Sequence, residues 1–298
     1  MDLRQLRYFV AVAEERHITR AAERLGLQQP PLSQQIKTME QELDVQLFRR
    51  KPRGVELTEA GSALFGEARA LLAHMERALD VVRRTARGEQ GRLNIGIAPT
   101  ASFHPLAPKS IREFRARFPL ASLTLQEGLS NEIAEWLSDE RMDVAFVRNR
   151  SMRVDGVIVH PLAEEPMIAA LPGNHPAARG RSGSLALKSL RDESFVLIGP
   201  PGTGLHDETI VACREAGFTP HIGQQAPRIT SALGLVAAGL GVALVPQSMK
   251  TVKMTGVIYR PLSGPATPKA FLGLAAQKNN PSAVLRKFVA SVRRMASA

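Results

Sequence analysis

Apolar positions recur at helical spacing from the first turn: Leu3, Leu6, Phe9, Val10 and Ala13 predict one amphipathic helix. A second, short one runs from Thr19 to Leu25, with Thr19 expected as its N-cap and Gly26 as the glycine that ends it. In QQPPLSQQIKTMEQEL, Leu32, Ile36, Met39 and Leu43 form an apolar stripe and leave Gln29, Ser33, Gln34 and Lys37 on the opposite face. Proline has no N–H and is tolerated only in the first helical turn, so Pro30 and Pro31 place the start of this third helix just after Gln28. Three small helices with a polar last face suggest a helix-turn-helix. LFRRKPRGVELT follows, two extended runs broken by Pro52 and Gly54, the pattern of a β-hairpin wing with the basic tip Arg49, Arg50, Lys51 and Arg53.

From Thr58 the apolar positions Leu64, Ala68, Leu71, Met75, Ala78 and Val82 keep a heptad seam. A helix of about 30 residues would extend roughly 45 Å, longer than an ordinary domain element, so it predicts a linker that pairs with a second copy. Gly88 and Gly91 close it. From Arg92 onward short β-rich runs (LNIGIA, SLTLQE, DVAFV, PMIAAL, FVLIG, GVALVP, FLGLAAQ) alternate with helical stretches at 105–117, 131–139, 207–216, 229–239 and 281–295. Alternation predicts an α/β domain with mostly parallel sheets. Its length predicts two lobes, with the Pro/Gly-rich SGPATP at 263–268 as a crossing segment and a ligand cleft between the lobes. The expected boundaries are a winged helix-turn-helix over 1–58, a linker helix and hinge over 59–91, one lobe from 92–161 with 268–298, and a second from 162–267.

Composition narrows the function. The 298 residues are 44% hydrophobic and 22% charged, the balance of a folded protein. MDLRQLRYFVAVAEER has no apolar leader region and no window reaches the length of a membrane span, so a cytoplasmic protein without membrane partner is expected. Cys213 is the single cysteine and reads as a small buried hydrophobe. The seven histidines are dispersed without ligand spacing, GPPGTG lacks a P-loop ending, AAGLG runs from helix to strand, and no serine sits in a nucleophile elbow. No metal, cofactor or catalytic set is therefore expected, and the protein reads as a non-enzyme. The formal charge of +11 is uneven: residues 1–91 hold 15 Lys and Arg against 13 Asp and Glu, while 92–298 hold 24 against 15. A nucleic-acid role for the N-terminal part must rest on local side chains, and the C-terminal excess suits an anionic ligand.

Glutamine bonds adenine N6 and N7 bidentately in the major groove and an apolar side chain can touch a thymine methyl, so the Gln29, Pro30, Ser33, Gln34 face has the chemistry to read bases. The same residues carry a resemblance. LRYFVAVAEERHITRAAERLGLQQPPLSQQIKTMEQELDVQLFRRKPRGVELTEAG is similar almost end to end to the N-terminal domain of LysR-type transcriptional regulators, including Ala21-Ala22, Gln35-Ile36, Glu40, Leu43, Leu47-Phe48 and Leu57-Thr58. QPPLS and SALGLVAAGLGVALVPQS resemble the branch that senses aromatic acids and ring-cleavage products such as benzoate, muconate and chlorocatechol. Across the whole chain the resemblance implies the winged domain, the dimerising helix and a two-lobed effector domain similar to periplasmic binding proteins.

It further implies double-stranded promoter DNA as partner, contacted by Thr19, Gln29, Pro30, Ser33 and Gln34 in the major groove, with Arg50 and Arg53 of the wing reaching the backbone and minor groove. Gln34 stands where that branch often has arginine, which predicts adenine rather than guanine preference at one base. For the small carboxylate effector that the resemblance implies, the residues are Pro99, Thr100 and Ser102, Ser130 and Asn131, Arg148 as a bidentate partner, and Gly202, Thr203, Leu205 and Thr230 from the second lobe. Thr100 and Ser130 exchange hydroxyl types relative to that branch. A homodimer through the linker, a homotetramer on DNA, RNA polymerase as a further partner, and activation or repression of promoters complete what the resemblance implies. The rivals are a solute-binding protein for a small anion, which would require export, and an enzyme with a DNA-binding appendage, which would require an acid/base or metal cluster.

Overall fold

The computed structural model of the chain describes residues 1–178, 183–264 and 267–297. It divides into two units, Met1–Arg84 and Thr85–Ala298. The first holds α1 (Leu3–Glu15), α2 (Ile18–Leu25), α3 (Gln29–Leu43), the hairpin β1 (Phe48–Lys51) and β2 (Gly54–Leu57), and most of α4 (Glu59–Ala86). Leu6, Phe9 and Val12 of α1 pack with Ala21 and Ala22 of α2, Leu32, Ile36 and Met39 of α3, Leu47, and Ala68 of α4 in one core. Small Ala21 and Ala22 let α2 approach closely, and Gly26 ends that helix with φ 64°. The N-cap of α2 is His17, two residues earlier than the expected Thr19, which therefore lies exposed inside the helix. α3 starts as its prolines dictate: Gln28 is the N-cap and Pro30 and Pro31 occupy the first turn.

The hairpin is pinned to the turn between α1 and α2. Val55 N–H donates to Arg16 O at 2.9 Å. Gly54 has φ +134°, and a Cβ there would stand 2.2 Å from Arg16 O, so the tip needs glycine on both counts. Thr58 caps α4 by accepting from Gly61 N–H at 2.9 Å. Leu64 and Ala68 of the heptad seam join the core, while Leu71, Leu79 and Val82 further along are exposed.

The second unit follows with β3 (Gln90–Ile97), α5 (Leu106–Arg117), β4 (Leu120–Glu127), α6 (Ser130–Ser138), β5 (Val144–Val147), β6 (Val157–Pro172), β7 (Leu185–Ala186) and β8 (Ser194–Ile198). It continues with α7 (Gly204–Glu215), β9 (His221–Ala226), α8 (Ile229–Ala237), β10 (Ala243–Pro246), β11 (Val257–Ser263), β12 (Lys269–Gln277) and α9 (Ala283–Ala296). One sheet runs β4-β3-β5-β12-β6-β11-β7, with β10 also on β6, and β8 pairs with β9. The expectation of mostly parallel sheets holds only in part. β3 with β4 and β5, and β8 with β9, are parallel, but β12 runs antiparallel to β5 and β6, and β10 and β11 antiparallel to β6. The cause is the chain's double passage: β6 leaves one half of the unit and β12 returns against it.

Each half has its own core. Leu93, Ile95, Phe114, Phe146 and Phe288 lie in one, and Met167, Phe195, Leu205 and Leu244 in another, with a third behind it around Ile168, Leu233 and Val245. Burying each such ring or branched side chain contributes about 1.5–3 kcal/mol. β6 passes from the first to the second without a break, because PMIAALP is apolar on both faces and is covered on both. The lobe boundary expected after residue 161 thus falls inside a continuous strand. The return crossing is made by β12 itself; of the expected crossing segment 263–268, residues 265 and 266 lie outside the described residues.

Candidate nucleic-acid interface and anion cleft

In the first unit, Gln29, Pro30, Pro31, Gln34 and Lys37 are exposed along α3, while Ser33 is half-buried. Leu32, Ile36 and Met39 on the reverse of the same helix are sealed in the core, so the polar face is presented on a rigid support. Glu40, of the same helix, is structural: its carboxylate accepts from Leu47 N–H at 2.8 Å and Phe48 N–H at 3.1 Å, which fixes the entry to the wing. On the wing, Glu56 accepts from Arg49 at 2.9 Å and lies 3.1 Å from Lys51. These cations hold its carboxyl below the usual range, Arg49 having the larger influence. The four-cation tip expected from the sequence is thereby reduced. Arg50 and Arg53 stay exposed and, among the described residues, face no carboxylate at ion-pair distance.

In the second unit a cavity of about 50 Å³ opens where three helices begin: Leu129 and Ser130 of α6, Thr203 and Gly204 of α7, Arg228 and Ile229 of α8. No side chain caps the first turn of α7 or α8. Their N–H groups and the positive ends of the helix dipoles therefore converge with those of α6 on one small space. α7 comes this close because residue 204 is glycine, whose Cβ would stand 2.0 Å from Arg148 O.

Arg148 forms the floor. It is 3% exposed, donates from one terminal nitrogen to Phe271 O at 3.3 Å, and from the other to Thr100 O at 2.9 Å and the Glu165 carboxylate at 2.8 Å. Glu165 also accepts from Ser248 N–H at 2.7 Å and Ser248 Oγ at 3.1 Å, so the buried pair is satisfied on its acidic side. The bidentate clamp expected of Arg148 is thus occupied from within the protein. Its Nε is buried and without a partner. Beside it, His104 is held below its usual pKa chiefly by burial, with Glu165 opposing the shift and Arg148 adding to it. Glu208 of α7 has a buried oxygen with no partner, and burial pushes its carboxyl up to about 7.

Of the expected ligand residues, Pro99, Thr100, Ser130, Arg148, Thr203 and Leu205 line this cavity. Four do not. Ser102 turns back to donate to Pro99 O at 2.6 Å, Gly202 belongs to a neighbouring depression where Asn149 donates to its carbonyl at 3.2 Å, and Asn131 and Thr230 are exposed outside it. Arg228 was not foreseen; it lines the cavity and pairs with Glu127 at the end of β4. Cys213 is buried, its thiol pushed up to about 12 by burial, in keeping with the apolar role expected of it. No cluster of metal-ligating side chains occurs among the described residues.

Two family descriptions match the chain: "Bacterial regulatory helix-turn-helix protein, lysR family" over residues 3–62 and "LysR substrate binding domain" over residues 86–297. The chain belongs to the LysR family of transcriptional regulators. Among curated relatives, the HTH-type transcriptional regulator BudR of Raoultella terrigena is 39% identical over 97% of this chain and 99% of its own. The HTH-type transcriptional regulator CatR of Pseudomonas putida is 36% identical over 99% of this chain and 100% of its own. Among solved structures, full-length CbnR complexed with its target DNA covers 99% of this chain and 100% of its own, at 31% identity and a TM-score of 0.86. This LysR-type chain is accordingly a DNA-binding transcriptional regulator with an effector-binding domain, and not an enzyme. No helix among its described residues is long and apolar enough to cross a membrane.

Proposed function

We propose that this regulator acts in the cytoplasm and that the cleft lined by Thr100, Ser130, Arg148 and Thr203 takes a small carboxylate whose binding alters how the protein holds promoter DNA. The observation that supports this most is the convergence of three helix starts on a cavity whose floor offers an unpartnered arginine Nε. Backbone N–H groups and dipoles of that kind favour an anion. Cavity size bears on the class: about 50 Å³ admits a carboxylate of a few heavy atoms, whereas an engineered cavity known to take a benzene ring measures about 150 Å³. An aromatic acid or ring-cleavage product therefore requires the lobes to part, which makes its binding a selection between closed and open forms. The lobes in this reading are 92–161 with 268–298, and 162–267. Titration calorimetry with acetate, benzoate and muconate tests the site: saturable binding lost in Thr100→Val/Ser130→Ala supports it, and unchanged binding in that variant overturns it.

On the DNA side, Thr19, Gln29, Pro30, Ser33 and Gln34 would meet the major groove, and Arg50 and Arg53 the backbone and minor groove of the wing side. The exposed Leu71, Leu79 and Val82 of α4 support pairing of linker helices, which would set two copies of α3 about 34 Å apart over an interrupted palindrome, within a dimer of dimers. Contact with RNA polymerase would then turn occupancy into activation or repression. Gln34 is assigned an adenine contact; exchanging it by Gln34→Arg should shift preference toward guanine at one position in each half-site, and an unchanged preference across substituted operators would remove it from the reading set.

A further inference from the structure

Glu208 stands beside the cleft without a part in the binding proposed for it. It lies one turn into α7 from Gly204, which borders both the cavity and the neighbouring depression that Glu208 lines. Arg148 lines the cavity, and the next two residues, Asn149 and Arg150, line the depression. Phe271 of β12 joins the two side chains: its carbonyl accepts from Arg148 at 3.3 Å, and its N–H donates to the Glu208 carboxylate. Arg148 Nε and Glu208 Oε2 are both buried and, among the described residues, have no hydrogen-bond partner. The guanidinium is thus influenced by two carboxylates, Glu165 bonded to it at 2.8 Å and Glu208 acting through space.

The charges around Glu208 leave it poised between its two forms. Arg150, in the segment after β5, favours the carboxylate, but it is paired with Glu164 of β6, as is Lys269 of β12 at 3.5 Å. On α7 itself, Asp207 opposes ionisation, Glu215 lines the same depression, and His206 turns its ring to Asp207 at 3.1 Å. On the far side of Arg148, His104 is held below its usual value and is therefore neutral above about pH 6.5. Burial outweighs the cations at Glu208 and pushes its carboxyl up to about 7.

We propose that an acid anion in the cleft and the negative charge of Glu208 compete for Arg148, so that effector binding takes up a proton at Glu208 and weakens as Glu208 ionises. This rests on the cleft reading above and adds a solvent proton as its co-ligand. The sign follows from the charges. An anion beside Arg148 offsets the cation that stabilises the Glu208 carboxylate, and so favours the protonated form. By reciprocity the protonated form binds the anion more tightly. Affinity is greatest where Glu208 is neutral, falls as pH rises through about 7, and levels off once Glu208 is ionised in the complex as well. The regulator then answers to an acid and to acidity together.

Titration calorimetry of the full-length protein with acetate, benzoate and muconate, from about pH 6 to pH 9 at fixed ionic strength, tests it. These acids are ionised throughout that range, so a pH dependence belongs to the protein. For an acid that binds, the expected Kd rises by about 5- to 150-fold across the range, at most about tenfold per pH unit because one proton is linked. Up to about one proton should be taken up per acid, read from the dependence of the measured enthalpy on the ionisation enthalpy of the buffer. Glu208→Gln, whose amide cannot ionise, should hold the wild-type Kd of the acid end across the range. Saturable binding by wild type with a single Kd at every pH overturns the proposal and leaves the cleft reading standing. A Glu208→Gln variant that keeps the wild-type pH dependence places the proton elsewhere and overturns it too. So does one that binds no acid where wild type does, which would give Glu208 a structural role. Binding by neither form at any pH overturns the cleft reading, and this inference with it.

Discussion

The α3 face proposed to read bases and the cleft proposed to hold an acid, at the starts of α6, α7 and α8, would solve recognition in opposite ways. α3 keeps its function on the outside: Gln29, Pro30 and Gln34 are exposed, belong to one turn and a half of one helix, and none of them supports the core beneath. The cleft keeps its function inside. Arg148, Glu165, Thr100 and Ser248 come from four separate segments, are buried or half-buried, and are bonded to one another before any ligand arrives. Function and stability are therefore separable in the first region and fused in the second, and substitutions in the two should differ accordingly.

The largest effect is expected at the cleft floor. Arg148→Met would leave Glu165 buried with only Ser248 as partner, and losing one member of a buried pair costs about 3–5 kcal/mol. Chemical denaturation of the full chain should show that loss in the transition of the second unit, together with loss of acid binding. Next, Gln29→Ala should weaken operator binding by about 1–3 kcal/mol and relax preference at one base, with unfolding unchanged. A fall in stability as large as that at Arg148 would erase the contrast between the regions. Of similar size, but confined to alkaline pH, is the effect at Glu208, whose carboxyl is pushed up to about 7 by burial. A raised carboxyl pKa makes its stabilising contribution complete below the unfolded value near 4.5 and lost as pH rises through about 7. Glu208→Gln should therefore gain about 1–3 kcal/mol over wild type at pH 8 and little at pH 4, read from denaturation midpoints across pH. The smallest effect belongs to the wing, where Arg50→Ala should lower the salt slope of DNA binding by about 0.9 and leave base preference intact.

The same contrast explains what the sequence disclosed. Helix spacing, the double proline and Gly26 placed the first three helices almost residue by residue, because each signal is local. The N-cap of α2 slipped from Thr19 to His17 because no side-chain bond marks that helix start. In the second unit, single strands and helices were legible, but Val157–Glu165, His221–Ala226 and Val257–Ser263 were not, since their exposed or mixed faces give no clean period. Nor could spacing show that Arg148 is already engaged by Glu165, 17 positions away, or that Arg228 reaches the cleft, because both facts depend on the antiparallel return of distant strands. The second glycine of GTG at 202–204, Gly204, was a usable signal: it marks the close approach of α7 to Arg148 O.

Coupling between the two regions is the central claim, and linkage gives it a direct measurement. Trp136, the one tryptophan of the chain, lies on α6, whose first residue lines the cleft. Its fluorescence can follow titration with acetate, benzoate or muconate in the free protein and in the operator complex. An acid that regulates must bind the two forms with Kd values differing by about 5- to 150-fold. The same Kd with and without DNA for every acid that binds would contradict the claim.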